Sequence, residues 1–300
     1  MVLKFNLFLL LLFQAYLCVF GQSFSDQNCL SQRMEINDSI NSNTKLFSLS
    51  PYKPVYVLFG NYTNHINQSP FSETQPKPPA MPADLNNVEL KFQFSTKIKV
   101  AHNILGEKLG GDLWLRYTQT SRWQVYNTQL SRPFRETNYE PEALFVLPTP
   151  FKIFGLKGVY AGIGINHQSN GRSNPHSRSW NRVFFEAGLE TANLNIILRP
   201  WWRIQEPIEI DDNPGIENFI GRGEIMIAYN YGRHSISAIG KHSLNFKDFQ
   251  GGGIEIDYAL KMYNYLKLHA QIYHGYGESM IDFNHFQTTV GLGLSLIVWR

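Results

Sequence analysis

From Val88 to Val100 the chain alternates without a break. Val88, Leu90, Phe92, Phe94, Thr96, Ile98 and Val100 fall on one side, and Glu89, Lys91, Gln93, Ser95, Lys97 and Lys99 on the other. Successive side chains point to opposite faces only on a β-strand, so this stretch is a strand with one apolar face. The same period recurs, less perfectly, at Leu113/Leu115/Tyr117, Val159/Ala161/Ile163/Ile165, Val183/Phe185/Ala187/Leu189, Leu194/Ile196/Leu198, Ile225/Ile227/Tyr229/Tyr231, Ile254/Ile256/Tyr258/Leu260 and Val290/Leu292/Leu294/Leu296/Val298. Weaker stretches near 54–63, 139–148, 233–243 and 265–277 bring the expectation to about twelve strands, each near the roughly 9–11 residues a tilted strand needs to cross a bilayer. The pattern predicts an all-β fold, a twelve-stranded antiparallel transmembrane β-barrel, closed so that no strand edge stays unpaired. The competing architecture, a soluble β-sandwich or lipocalin-like barrel, would have shorter strands and an apolar face turned to a core.

Connection lengths support the barrel. With the N-terminus on the inner side, the outer connections are Asn64–Asn86, Arg122–Asn138, Asn170–Ser179, Gln205–Glu217, Leu244–Gln250 and Glu278–Asn284, and most are long. Inner ones are short around Thr191-Ala192, Gly232-Arg233 and Tyr263-Asn264, the habit of outer-membrane barrels. Composition then makes sense. Only 17% of residues are charged while 14% are aromatic, because apolar side chains coat the outside and polar ones fill the inside. A formal net charge of +3, with Lys and Arg scattered, argues against a nucleic-acid partner.

Residues 1–21 read as a signal peptide: Lys4, an apolar run, then Gly21. A retained anchor is the alternative, but no basic stop-transfer cluster follows. Cleavage would remove Cys18 and leave Cys29 alone, so no internal disulfide is expected. Residues 22–50, rich in Ser and Asn, are expected as a periplasmic segment preceding a barrel domain over 51–300. The chain ends Trp299-Arg300, where barrel proteins usually finish on the aromatic itself.

Chemistry concentrates at the outer end of the fifth strand, in the run His167-Gln168-Ser169-Asn170-Gly171-Arg172 and on to Ser177, Asn181 and Arg182. His167 and Ser169 are two apart and share a face, as a base and a nucleophile would. Their parity is that of Val159, Ile163 and Ile165, the lipid-facing set. Asn181 has the parity of Val183 and Phe185 on the next strand, so an antiparallel return could bring it beside His167. A neutral amide can fix the imidazole tautomer, although it stabilises an imidazolium less than a carboxylate does. A His-x-Ser pair at a strand end is more often just solvated; polar residues with lipid-facing parity are costly and favour a functional reading.

The run from His167 to Arg182, together with Tyr117-Thr118-Gln119, Pro133 to Pro141, Asp211-Asp212-Asn213-Pro214 and Gly275-Tyr276-Gly277-Glu278-Ser279, resembles outer membrane phospholipase A of Gram-negative bacteria, over about residues 50 to 300. The resemblance implies a twelve-stranded barrel in the bacterial outer membrane, with its active site toward the outer leaflet. It implies a Ca2+-dependent homodimer that hydrolyses acyl esters of phospholipids and lysophospholipids. Position by position it makes Ser169 the nucleophile, His167 the base, Asn181 its orienting residue and the Gly171 amide the oxyanion donor. Calcium would be held by the Arg172 carbonyl, the Ser177 hydroxyl and Ser131 from a second copy. A second calcium site keeps Asp212 but has Asn174 where relatives often carry Asp, so it should be weaker or absent. Gln119, on the lipid-facing side, is implied at the dimer interface; reaching lipid headgroups is the bland alternative. The other function class is a non-enzymatic barrel, a small pore or an adhesin, which has no use for His167, Ser169 and Asn181 facing lipid.

Overall fold

The computed structural model describes residues 29–35, 46–75, 84–245 and 251–299. The expected signal peptide and Arg300 lie outside them. Twelve strands form one antiparallel sheet that closes on itself: β1 (Val55–Thr63), β2 (Val88–Ala101), β3 (Asp112–Trp123), β4 (Phe134–Pro148), β5 (Leu156–Ser169), β6 (Ser179–Glu190), β7 (Leu194–Ile204), β8 (Gly223–Tyr231), β9 (His234–His242), β10 (Gly252–Tyr263), β11 (Leu266–Tyr276) and β12 (Phe286–Ile297). Neighbours in sequence pair throughout, and β12 closes the barrel on β1. A short piece, Leu49–Pro51, prolongs β1 along the edge of β2. No helix among the described residues is long and apolar enough to cross a membrane. The twelve-stranded expectation therefore holds, and strands supply the crossing.

The alternation in β2 sorts as expected. Lys91, Lys97 and Lys99 are buried inside, whereas Phe92, Phe94 and Ile98 stay partly exposed outside. The lumen is packed with paired charges. Arg116 forks onto both carboxylate oxygens of Glu186 at 3.0 Å, Tyr160 donates to the same carboxylate at 2.6 Å, and Lys99 meets Asp112 at 2.9 Å. These charges are tolerable away from water because each of them meets an opposite one, whereas Lys97 donates instead to the Arg33 carbonyl.

Two expectations need correction. Val159 does not face lipid: the β5–β6 register slips between Gly158 and Tyr160, and this bulge tucks Val159 into the buried cluster with Tyr160 and Leu144. Strand β4 starts at Phe134, earlier than the alternating stretch suggests, because Arg135 and Glu136 are both buried and break the period. Within residues 22–50, the described stretch 29–35 packs into the barrel. A short helix, α1 (Leu30–Arg33), plugs the inner end. Leu30 and Met34 join the core, and Ser31 donates twice to Glu190 at 2.8 Å. A side chain at Gly188 would collide with Leu30 and Tyr160, so the glycine makes room for the plug. Trp299 also turns inward, edge-on to Tyr52.

Candidate active site

Strands β5, β6 and β7 set side chains in a row across the outer face of the barrel. The register puts His167 opposite Asn181, and Asn181 opposite Ile204. His167 Nδ1 and Asn181 Oδ1 are 2.8 Å apart. Since the amide oxygen only accepts, Nδ1 is the donor in this bond, and Nε2 is the ring nitrogen left to face other groups. Ser169 lies two residues beyond His167 on the same face, opposite Tyr139 of β4. Its hydroxyl makes no hydrogen bond among the described residues, so it is free to turn to a base. Below the row, Ile163, Ile165, Phe185 and Trp202 are exposed and form an apolar wall.

Gly171 follows at a left-handed φ of 64°, a backbone that any other residue resists. A Cβ there would sit 3.0 Å from the Tyr139 ring, so the loop lies flat against β4. Buried Asn170 organises this loop: its amide donates to the His176 carbonyl at 2.8 Å and accepts from the Arg178 amide at 3.0 Å. The Arg172 guanidinium donates to the carbonyls of Phe134 and Arg135, which turns it away from the loop. The Arg172 carbonyl has no donor among the described residues.

The Ser177 hydroxyl donates to Asp212 Oδ2, while Gln75 donates to Asp212 Oδ1 at 2.9 Å. Asn213 anchors the same junction by accepting from the Ser179 amide at 2.8 Å. Three outer connections thus meet at Asp212. Its contact leaves the Ser177 lone pairs available, and with the open Arg172 carbonyl these are hard, neutral oxygens of the kind calcium accepts. No cluster of three or more His, Cys, Asp or Glu that could hold a metal occurs among the described residues. Ser131 stands apart, exposed on the 124–133 connection, with no hydrogen bond to Arg172 or Ser177 among the described residues.

Gln119 is not left bare on the lipid face. It accepts from Tyr117 at 3.0 Å and donates to Ser121 at 3.3 Å, so a second copy is not its sole source of partners. Sequence reasoning missed Glu206, whose Oε1 accepts from Asn181 Nδ2 at 3.1 Å. Continuing the outward parity of Trp202 and Ile204 past the end of β7 would have found it.

A family model described as Phospholipase A1 matches residues 30–296. The chain belongs to the phospholipase A1 family. Relatives in that family include Phospholipase A1 of Salmonella typhimurium, 36% identical over 250 residues covering 83% of this chain and 82% of the relative. The Escherichia coli Phospholipase A1 is 35% identical over the same shares. Among solved structures, the outer membrane phospholipase A from Escherichia coli superposes with a TM-score of 0.74 at 34% identity, covering 85% of this chain and 100% of that one. A Salmonella typhi outer membrane phospholipase dimer with bound calcium gives 0.75 at 34% identity, over 88% and 97%. An active-site mutant of the Escherichia coli protein, asparagine to alanine, gives 0.75 at 32% identity, over 90% and 99%.

Proposed function

We propose that this chain is a calcium-dependent outer-membrane phospholipase A that cleaves acyl esters of phospholipids, at both glycerol positions, and of lysophospholipids. The observation that carries the reading is the 2.8 Å His167–Asn181 hydrogen bond on the lipid face, with Ser169 on the same side. Support comes from family membership and from the calcium-bound dimer among its solved relatives.

A phospholipid in the outer leaflet would reach the rim sideways, its acyl chain along Ile163, Ile165 and Trp202. Ser169 Oγ attacks the ester carbonyl carbon as His167 Nε2 takes its proton, and Asn181 Oδ1 holds Nδ1–H so that the lone pair keeps its aim. The Gly171 amide donates to the oxygen that becomes negative. Protonated His167 then returns the proton to the departing glycerol oxygen, which leaves the acyl group on Ser169. Water, deprotonated by the same imidazole, releases the fatty acid and restores the hydroxyl.

Calcium, held by the Arg172 carbonyl, the Ser177 hydroxyl and Ser131 of a second copy, would supply positive charge near the developing oxyanion. Gln119 would lie at the seam between the two copies. With Asn174 in place of a carboxylate, a second site at Asp212 would be weak. Turnover of a micellar lysophospholipid by purified protein, with calcium and with chelator, tests the reading. Calcium-dependent hydrolysis lost in Ser169→Ala is expected; turnover that ignores the chelator, or survives that substitution, overturns it.

A further inference from the structure

We infer that Glu206 is a fourth member of the relay, a positioning residue that locks the Asn181 amide so that His167 can act only as a base toward Ser169. The inference rests on the proposed Ser169–His167–Asn181 reading and concerns a residue outside it.

An asparagine beside a neutral histidine is ambiguous. Its amide can present oxygen, which selects Nδ1–H and leaves Nε2 as an acceptor. Turned by 180°, it presents NH2, which selects the other tautomer and puts a proton on Nε2, where it blocks the attack. Either arrangement makes one good hydrogen bond, so the pair alone has no strong preference. A carboxylate behind the amide removes the ambiguity, because it only accepts and so only the Nδ2 side can face it. Glu206 Oε1 is 3.1 Å from Asn181 Nδ2, and Asn181 Oδ1 is 2.8 Å from His167 Nδ1.

Glu206 is built for this contact. It follows β7 with the outward parity of Trp202 and Ile204, and Asn181 pairs with Ile204 two residues earlier. Pro207 keeps the residue before it extended, which carries that parity beyond the strand end. Its half-buried carboxylate forms no ion pair, and its one side-chain hydrogen bond is to Asn181 among the described residues. A carboxylate on a lipid-facing rim without a cation is costly unless its charge is used. Here that charge also lies on the far side of the amide from the imidazolium, a stabilisation that Asn181 cannot give by itself.

Full-length protein in detergent with calcium is assayed as wild type, Ser169→Ala, Glu206→Ala and Glu206→Gln, and with each Glu206 change in an Asn181→Ala background. Losing a charge-assisted hydrogen bond predicts a kcat about tenfold lower in Glu206→Ala with KM nearly unchanged. Glu206→Gln, able to accept but also to donate, falls between. Over Asn181→Ala neither change adds a further loss, since the amide they act through is gone. Ring 15N shifts of His167 should show one tautomer in wild type and a mixture in Glu206→Ala. An unchanged kcat, an equal loss without Asn181, or an unaltered tautomer overturns the inference while Ser169→Ala stays inactive; activity in Ser169→Ala sinks the underlying reading instead.

Discussion

Replacing Asn181 by Ala removes the acceptor that holds His167 Nδ1–H at 2.8 Å and touches nothing buried deep in the lumen. In the proposed acyl transfer the imidazole becomes a cation, and hydrogen bonds to charged groups are worth about 1.5–3 kcal/mol against about 1 for neutral pairs. The loss is therefore felt mainly in the transition state. At about 1.4 kcal/mol per decade it should lower kcat by roughly 10- to 150-fold and leave KM within about twofold. The assay is steady-state hydrolysis of a lysophospholipid in detergent micelles at saturating calcium, with heat-modifiable gel migration as the check on barrel folding. A kcat within threefold of wild type would refute the reasoning, and so would a loss confined to KM, because either outcome means that His167 keeps its orientation without the amide.

Asn181→Asp should not rescue or improve the enzyme, although a carboxylate is ordinarily the better partner: it would stand about 3 Å from Glu206, and one of the two acids must take a proton. Adding Glu206→Gln to it should recover activity, as read by kcat. A pH effect is expected in the outer connection 277–285. Burial works to raise the Glu278 carboxyl, but Arg122 and Lys91 outweigh it and hold it at about 2, from an ordinary 4.5. A carboxylate depressed in this way stabilises fully above about pH 4.5 and progressively less as pH falls to 2. Hydrogen-exchange protection of the Met280 and Ile281 amides, which bond to Asn138 and Glu136, should fade over that window, and less so in Glu278→Gln. At the inner end, Leu30→Ala should loosen the plug by about 2–5 kcal/mol. Trypsin cleavage after Arg33 would then accelerate about 30-fold or more; an unchanged rate would mean that Leu30 does not hold α1 in place.

Period two was enough to find all twelve strands, because a barrel that meets lipid outside and polar groups inside must alternate on every crossing. It failed where the backbone departs from the plain pleat. At Val159 the bulge inserts a residue and reverses the side on which it falls. At Arg135 and Glu136 successive residues are both buried, and the start of β4 disappears into an apparent loop. The segment around Leu30 has no period to read; it is held by long-range contacts with Glu190 and Tyr160 that a local pattern does not contain. Parity served the site better. His167, Ser169 and Asn181 stood out as polar residues on the lipid side, and the register now sets two of them in hydrogen-bond contact. Glu206 obeyed the same rule one pair of residues beyond the strand, where the alternation had been abandoned for a loop.

Charge is distributed differently inside and outside the barrel, and the difference favours the proposed enzyme over a conduit. Inside the barrel, Arg116 with Glu186 and Arg135 with Glu89 tie non-adjacent strands together, Lys91 ties β2 to the outer connection at Glu278, and α1 with Trp299 fills the inner end. A cavity of about 130 Å³ lies among Lys91, Arg122, Arg199, Glu278 and Trp299. An ion crossing such a lumen would have to break pairs that are costly to separate in a low-dielectric interior. The outward rim is the reverse case: His167 meets the Asn181 amide, the Ser169 hydroxyl has no hydrogen bond among the described residues, and the carboxylate of Glu206 is held by the same amide. In the proposed reaction, polar groups on a surface that faces acyl chains would meet a substrate that arrives through the lipid. An ester at the headgroup boundary, with its chains already against Ile163 and Trp202, fits that approach.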